Sequence, residues 1–108
     1  MRVLLATLAA VAVLSVVTTT LAGPILRIAF RNNSDKTITE AYVVVPGRDW
    51  GPNQVAGKPI APKKRAQLIL EDGANKCVAD LRLVTGDGTT FERRVNFCGN
   101  PNFTYHGR

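Results

Sequence analysis

The sequence predicts an all-β protein, an antiparallel β-sandwich (immunoglobulin-like or related) of about six to seven short strands with one disulfide. Runs rich in apolar and β-branched residues are separated by turn signals about every ten residues, and no helical period follows residue 22. Glycine and proline stand between the runs and not inside them. The chain's two cysteines, Cys77 and Cys98, close the clearest hairpin.

The hairpin between the cysteines has a register that its side chains select. A two-residue turn at Asp87-Gly88 would place Arg82 opposite Arg93 and mix charged with apolar residues on each face. We therefore predict a three-residue loop, with Gly88 in the left-handed conformation. This register pairs Arg82 with Glu92, Asp80 with Arg94, Leu83 with Phe91 and Ala79 with Val95. It also offsets the two cysteines by one position, so that they require a bulge or a strand end.

The other strands follow from alternation along the chain. Ile25–Arg31 places Leu26, Ile28 and Phe30 on one face, which is typical of a half-buried strand. Thr37–Val45 is dense in β-branched residues, and we expect it to be a central strand. The remaining predicted strands are a short edge strand around Ile60, a strand with Ala66, Leu68 and Leu70 on one face, and a last strand from Asn102 to His106.

The first 22 residues have the pattern of a signal peptide. Arg2 precedes an apolar run, and Thr20 and Ala22 satisfy the small-residue rule before a cleavage site, which makes residues 23–108 the predicted single β-sandwich domain. A retained membrane anchor is the alternative. Export predicts a periplasmic or secreted location, where Cys77 and Cys98 can pair. Metal ligation is the competing interpretation of the cysteines, but one histidine and no CxxC spacing make no zinc set.

The mature domain is predicted to be basic. The whole chain has 14 Lys and Arg against 8 Asp and Glu, and Arg2 lies in the leader, so 13 − 8 gives +5 for the domain. This charge suits anionic envelope polymers or surfaces, although a basic balance also arises without a binding role. Lys63-Lys64-Arg65 is the one basic run, and without interleaved aromatic residues it predicts no specific nucleic-acid binding.

Two further features are candidate binding positions. Trp50 lies in a long irregular loop, Pro46–Gly57, next to Arg48, and is either an exposed aromatic anchor or a lid over one end of the core. Arg93 falls on the apolar face beside Leu81, where its stem either reaches past Leu81 to water or enters a ligand cleft. The candidate binding residues are Arg48, Trp50, Lys63, Lys64, Arg65 and Arg93.

The sequence predicts no catalytic residues, no metal and no cofactor. Ser34, the one serine after the leader, has no GxSxG context, and His106 lies close to the C-terminus. Adjacent acids at Glu71-Asp72 are typical of a solvated turn. Oxygen-bearing side chains in alternate loops could meet to hold Ca²⁺, although turn preference explains the same residues. These are Asn32, Asn33, Asp35, Glu71, Asp72 and Asn100.

Several ordered segments carry a resemblance. NNS at 32–34, TITEAYV at 37–43, WG at 50–51 and DGANKCVADLRLVTGDG at 72–88 follow the leader in this order. The chain thereby resembles a group of small exported proteobacterial proteins with no established activity, which implies no catalytic residue. Members usually carry glycine after the proline that is here Pro62, where this chain has Lys63.

Together these observations predict a non-catalytic exported binding module of the cell envelope or secreted space. It would use the Trp50 loop and the basic turn at Lys63–Arg65, and its partner would be a protein or an anionic envelope polymer. No stable membrane span would remain after cleavage of the leader. A small secreted inhibitor of a hydrolase is the alternative, and a hydrolase or calcium-dependent enzyme is the weakest one.

Overall fold

The structure is a computed structural model, and it describes residues 24–107. The predicted leader and its cleavage site lie outside the described residues. Six strands and one short helix follow each other along the described chain. In order they are β1 (Leu26–Asn32), β2 (Ile38–Val44), β3 (Arg65–Leu70), α1 (Gly73–Lys76), β4 (Val78–Thr85), β5 (Thr90–Asn96) and β6 (Asn102–Tyr105).

The strands form two three-stranded sheets, in the orders β3-β1-β6 and β2-β4-β5. The predicted all-β, sandwich-like fold with a Cys77–Cys98 disulfide is therefore confirmed. One pairing departs from the antiparallel expectation, because β6 runs parallel to β1. After β5 the chain leaves its own sheet and joins the other one, so no hairpin turn dictates the direction in which β6 arrives.

The core lies between the inner faces of the two sheets. Alternate residues of each strand point inward, which is the consequence of the two-residue period of a β-strand. β1 contributes Ile28 and Phe30, and β4 contributes Ala79, Leu81 and Leu83, all nearly inaccessible to solvent. The other buried apolar residues are Ile38, Ala41, Val43, Val55, Ile60, Leu68, Leu70, Phe97 and Tyr105.

The β4–β5 hairpin has the register that its charges predict. Arg82 pairs with Glu92, Asp80 with Arg94, Leu83 with Phe91 and Ala79 with Val95. Gly88 has a φ of 87°, which is the left-handed residue of the predicted three-residue loop. Within that loop, the Thr85 hydroxyl and the Thr89 N–H donate to Asp87, and these bonds hold the pKa of the Asp87 carboxyl well below its usual range.

The disulfide lies at the strand ends, as the predicted offset requires. Cys77 directly precedes β4, and Phe97, not Cys98, donates its N–H to the Cys77 carbonyl at 2.8 Å. β5 has already ended at Asn96, so Cys98 is free to turn towards Cys77, with the two Cα atoms 4.9 Å apart.

Two sequence expectations are wrong. β2 was expected to be central but is an edge strand, and β4 is the central strand of its sheet. The Trp50 loop and the segment after it cover the β2 edge: the Asn53 side chain bonds Ala41 and Thr39, and Ile60 forms a bridge with Ile38. This cover explains why so apolar a strand tolerates an edge position. The short helix α1 was also missed, because four residues cannot display a helical period.

Asn32 ties three segments together at the end of β1. Its buried amide nitrogen donates to the carbonyls of Lys36 at 2.7 Å and Ile60 at 3.0 Å. Its side-chain oxygen accepts from the backbone N–H of Ser34 at 3.1 Å and from the Ser34 hydroxyl at 2.6 Å. The Asn32 side chain thus supplies hydrogen bonds to backbone groups of the loop between β1 and β2.

Candidate functional site

A cleft of about 520 Å³ opens beneath the Trp50 loop, at the edge where the two sheets meet. Its walls come from β2, from β3 and from the loop itself, with Val44 and Ile69 supplying apolar surface. Arg48 stands at the cleft and approaches Asp72 to 3.6 Å, with more than half of its side chain exposed. The cleft therefore combines an aromatic wall, apolar surface and a solvent-accessible guanidinium.

Trp50 matches neither of its two predicted roles completely. It is half-buried, and its ring lies 6.2 Å from the Tyr42 ring on the outer face of the β2–β4 sheet, not over an end of the core. The Arg82 guanidinium lies 5.7 Å from the Trp50 ring and 6.0 Å from Tyr42. One side of the indole is held by these contacts while Trp50 also lines the cleft.

Charges on this outer face are paired. Arg82 Nε lies 3.5 Å from Glu92 Oε2, an ion-pair distance too long for a well-formed hydrogen bond. The Tyr42 hydroxyl donates to Glu40 Oε1 at 2.5 Å. This hydrogen bond, together with burial and the Glu40 charge, raises the pKa of Tyr42. On its sheet side Trp50 therefore faces a paired Arg82, whose buried Nε has no hydrogen-bond partner among the described residues.

The basic turn borders a second cleft of about 650 Å³. Lys64 and Arg65 line it together with Lys58, which sequence reasoning had not singled out. The two clefts share Gln54 and Gln67, so they form one groove along the edge of β3. Arg48 and Trp50 therefore lie in the first cleft of this groove, and Lys64 and Arg65 lie in the second.

Lys63 holds the tip of the basic turn in an unusual backbone conformation. Its φ is 67°, in the left-handed region that favours glycine. Its N–H donates to the Asn32 carbonyl at 2.7 Å, which fixes the turn against the end of β1. Lys63 thus places a charged side chain at a position whose backbone conformation favours glycine.

Replacing Lys63 with glycine is expected to raise the free energy of unfolding by about 0.5–1 kcal/mol, because relief of left-handed strain exceeds the added chain entropy. Chemical denaturation measures this change, with Lys64→Gly as the matched control. Lys64 has no positive φ, so the control is expected to destabilise. Equal effects of the two substitutions would contradict this account of the turn.

Two arginines that sequence reasoning did not single out complete a basic surface next to this turn. Arg27 and Arg31 occupy alternate positions of β1, and Arg31 is the register partner of Arg65 on β3. Their side chains share the outer face of the β3-β1-β6 sheet because both lie out of phase with the buried Ile28 and Phe30. We call Arg27, Arg31 and Arg65 the arginine face. The alternation of β1 already places Arg27 and Arg31 on one face, but only the β1–β3 register shows that Arg65 lies beside Arg31.

The arginine face has no acidic partner within residues 24–107. The ion pairs of residues 24–107 join Lys36 to Asp87, Arg48 to Asp72, Arg82 to Glu92 and Arg94 to Asp80, and none involves these three arginines. Arg31 and Arg65 oppose each other across a non-hydrogen-bonded position, where Cα atoms lie about 4.5 Å apart. Like charges so placed reduce stability. Fold stability therefore does not explain this arrangement.

Arg93 lies apart from the groove. It is exposed on β5 opposite Leu81, and its guanidinium lies 5.1 Å from the Phe91 ring. β5 forms the edge of its sheet farthest from β2, and neither cleft includes Arg93. The Arg93 side chain is thus exposed to solvent, with its guanidinium over the Phe91 ring.

The residues considered for catalysis have structural contacts. Ser34 is buried and donates its hydroxyl to Asn32, while Asn33 and not Ser34 contacts His106, at 3.5 Å. Among the calcium candidates, the Asn32 side-chain oxygen accepts two hydrogen bonds from Ser34. Within residues 24–107, no three His, Cys, Asp or Glu side chains converge in a way that could hold a metal ion.

Comparison with protein-family models, with curated proteins and with solved structures finds no match. None of the helices in the described part of the chain is long and apolar enough to cross a membrane.

Proposed function

We propose that the protein is a non-catalytic exported binding module that holds an anionic envelope polymer in the periplasm or secreted space. The observation that carries the proposal is the arginine face, which presents three guanidinium groups without an acidic partner in residues 24–107. The basic turn at Lys63–Arg65 extends this surface to the groove that contains Trp50 and Arg48. An oxidising location is supported by the Cys77–Cys98 pair.

The geometry suits a linear polyanion. Arg27 and Arg31 are four residues apart on one strand, which separates them by about 13 Å along β1, and Arg65 lies beside Arg31 on β3. A guanidinium binds phosphate or carboxylate through two parallel hydrogen bonds. Ala29, between the two arginines, has a short side chain that rises little above the sheet surface. The exposed Asn102 and Thr104 of β6 add polar groups alongside β1.

A loop-borne hydrolase inhibitor receives less support. An inhibitory loop presents its anchor outward to the partner's pocket, whereas one side of Trp50 packs on Tyr42 and Arg82. The loop is also held back against its own sheets by Asn53 and Gln54.

Binding to long-chain polyphosphate, used as the probe, is expected to weaken as salt rises, because each contacted anionic group releases counterions. The double variant Arg27→Gln/Arg31→Gln should lose roughly tenfold or more in affinity at low salt, with a shallower dependence of log K on log salt. Fluorescence anisotropy of labelled polyphosphate between low and physiological salt measures both quantities.

The matched control is Arg93→Gln/Arg94→Gln, which changes net charge equally on the other sheet, where Arg94 pairs with Asp80 at 2.8 Å. We expect the control to change affinity by no more than about threefold. Equal losses in the two double variants would mean that net charge alone drives adsorption, and the proposal would then be wrong.

A further inference from the structure

The outer edge of β3 has an open position in its hydrogen-bonding ladder. Just before the strand begins, the Asn32 N–H donates to the Lys64 carbonyl at 2.9 Å. Even-numbered residues of β3 therefore bond to β1, and in the alternation of an antiparallel ladder the odd-numbered ones point away from it. Arg65, Gln67 and Ile69 thus direct their backbone N–H and C=O groups to the outer edge.

The protein already fills one of these positions with a side chain. The Gln54 amide donates to the Ile69 carbonyl at 2.9 Å, and its oxygen accepts from the Ile69 N–H at 2.8 Å. These are the two bonds that a residue of a neighbouring strand would make. Gln54 also donates its backbone N–H to Ala41 on β2, so it spans the edges of both sheets. At the Ile69 position, the β3 edge therefore already binds an amide group from outside the sheet.

The next positions are open within the described residues. No group in residues 24–107 bonds the outward backbone atoms of Gln67, and Gln67 is exposed. Residues 64–67 line the second cleft together with Pro59 and Ala61. Unpaired strand edges of this kind accept an extended chain as an additional strand.

We propose that the β3 edge at Arg65–Gln67 binds an extended acidic segment of a partner protein by strand addition. The added backbone would bond Gln67, in line with the bonds that Gln54 makes to Ile69. Acidic side chains on the added strand would meet Lys58, Lys64 and Arg65, which border the cleft.

The same charges disfavour a second copy of this chain as the occupant. Pairing β3 with β3 of another copy would bring two sets of Lys58, Lys64 and Arg65 together, and like charges across an interface cost binding energy. Arg65 belongs to both sites, but strand addition also requires backbone groups at the edge of the sheet, whereas polyanion binding also requires Arg27 and Arg31 on its outer face. Loss of one activity therefore leaves the other testable.

The first test measures amide exchange and peptide binding by NMR on the full mature domain. In the free protein the Gln67 amide is expected to exchange faster than the Ile69 amide, which Gln54 protects. The probes are blocked heptapeptides with Glu or Asp at alternate positions and Thr or Val between them. We expect them to shift and protect Gln67, and lysine-substituted versions to bind at least about tenfold more weakly. No protection of Gln67 by any peptide of the panel at millimolar concentration would overturn the proposal.

Alternate N-methylation of the peptide separates strand addition from charge attraction. Methyl groups on the backbone nitrogens that face β3 remove the donors needed by the edge and are expected to lower affinity by about tenfold or more. Methyl groups on the intervening nitrogens should leave it within about threefold. Equal affinities of the two methylated series would show that the peptide does not add as a strand.

A protein variant supplies an independent test. Gln67→Pro removes the outward N–H without removing a bond to β1, and Gln67→Thr is the control that keeps the donor. Peptide binding should be lost in the proline variant and kept in the threonine variant. Protection of Gln67 in peptide-free protein together with a dimer in sedimentation would instead assign the edge to a second copy and overturn the choice of occupant.

Discussion

Replacing Asn32 with alanine is expected to lower the free energy of unfolding by about 3–4 kcal/mol. The substitution leaves the Ile60 carbonyl without its buried donor, opens a small cavity and frees Ser34. An unmet buried hydrogen-bonding group costs about 1–3 kcal/mol, and this change creates more than one. Urea unfolding monitored by Trp50 fluorescence measures the loss.

Asn33 is the matched control, because its amide lies 3.5 Å from His106 at the surface. Asn33→Ala should cost less than about 1 kcal/mol. Asn32→Asp sharpens the test, since a charged carboxylate would face the Lys36 and Ile60 carbonyls. The folded protein should raise the pKa of that carboxyl, so stability should be greater below the raised pKa and fall as pH rises through it. The role given to Asn32 would be contradicted if the Asn32→Asp variant were as stable as the wild type and its free energy of unfolding did not change with pH.

Removing the disulfide with Cys77→Ala/Cys98→Ala is expected to cost about 3 kcal/mol, because the bond closes a loop between residues 21 positions apart. The hairpin register should survive, since Asp80–Arg94 and Arg82–Glu92 still pair across β4 and β5. Equilibrium unfolding measures the cost, and cross-strand nuclear Overhauser effects report the register. A shifted register would show that the disulfide, and not the side-chain pairs, selects the alignment.

Cys77 provides a control for this variant. Its φ is 58°, a conformation that glycine adopts without strain. The pair Cys77→Gly/Cys98→Ala should therefore lose less stability than Cys77→Ala/Cys98→Ala, by about 0.5–1 kcal/mol. If Cys77→Gly/Cys98→Ala were instead less stable than Cys77→Ala/Cys98→Ala, the backbone conformation of Cys77 would not be a source of strain.

The hairpin could be predicted from sequence because its information is local. Opposite charges at Arg82 and Glu92, and at Asp80 and Arg94, select one register. The position of β2 could not be obtained in this way, since apolar residues on both of its faces resemble a central strand. Its edge is covered by Asn53 and a bridge to Ile60, contacts between residues far apart in sequence.

The candidate site was predictable in part for the same reason. The Trp50 loop and the run Lys63–Arg65 stand out locally, and the structure joins them along one groove. Arg27 and Arg31 gain significance only when the β1–β3 register places Arg65 beside Arg31. Arg93, whose position looked unusual by strand alternation, lies on β5, away from that groove.

The most direct test of polyanion binding follows the side-chain Nε–H resonances of each arginine during titration with polyphosphate at low salt. We predict that those of Arg27, Arg31 and Arg65 shift together, because their guanidinium groups have no acidic partner among the described residues. Those of Arg82 and Arg94, which pair with Glu92 and Asp80, should stay within the experimental error. Uniform shifts of all five would contradict the assignment of binding to the arginine face.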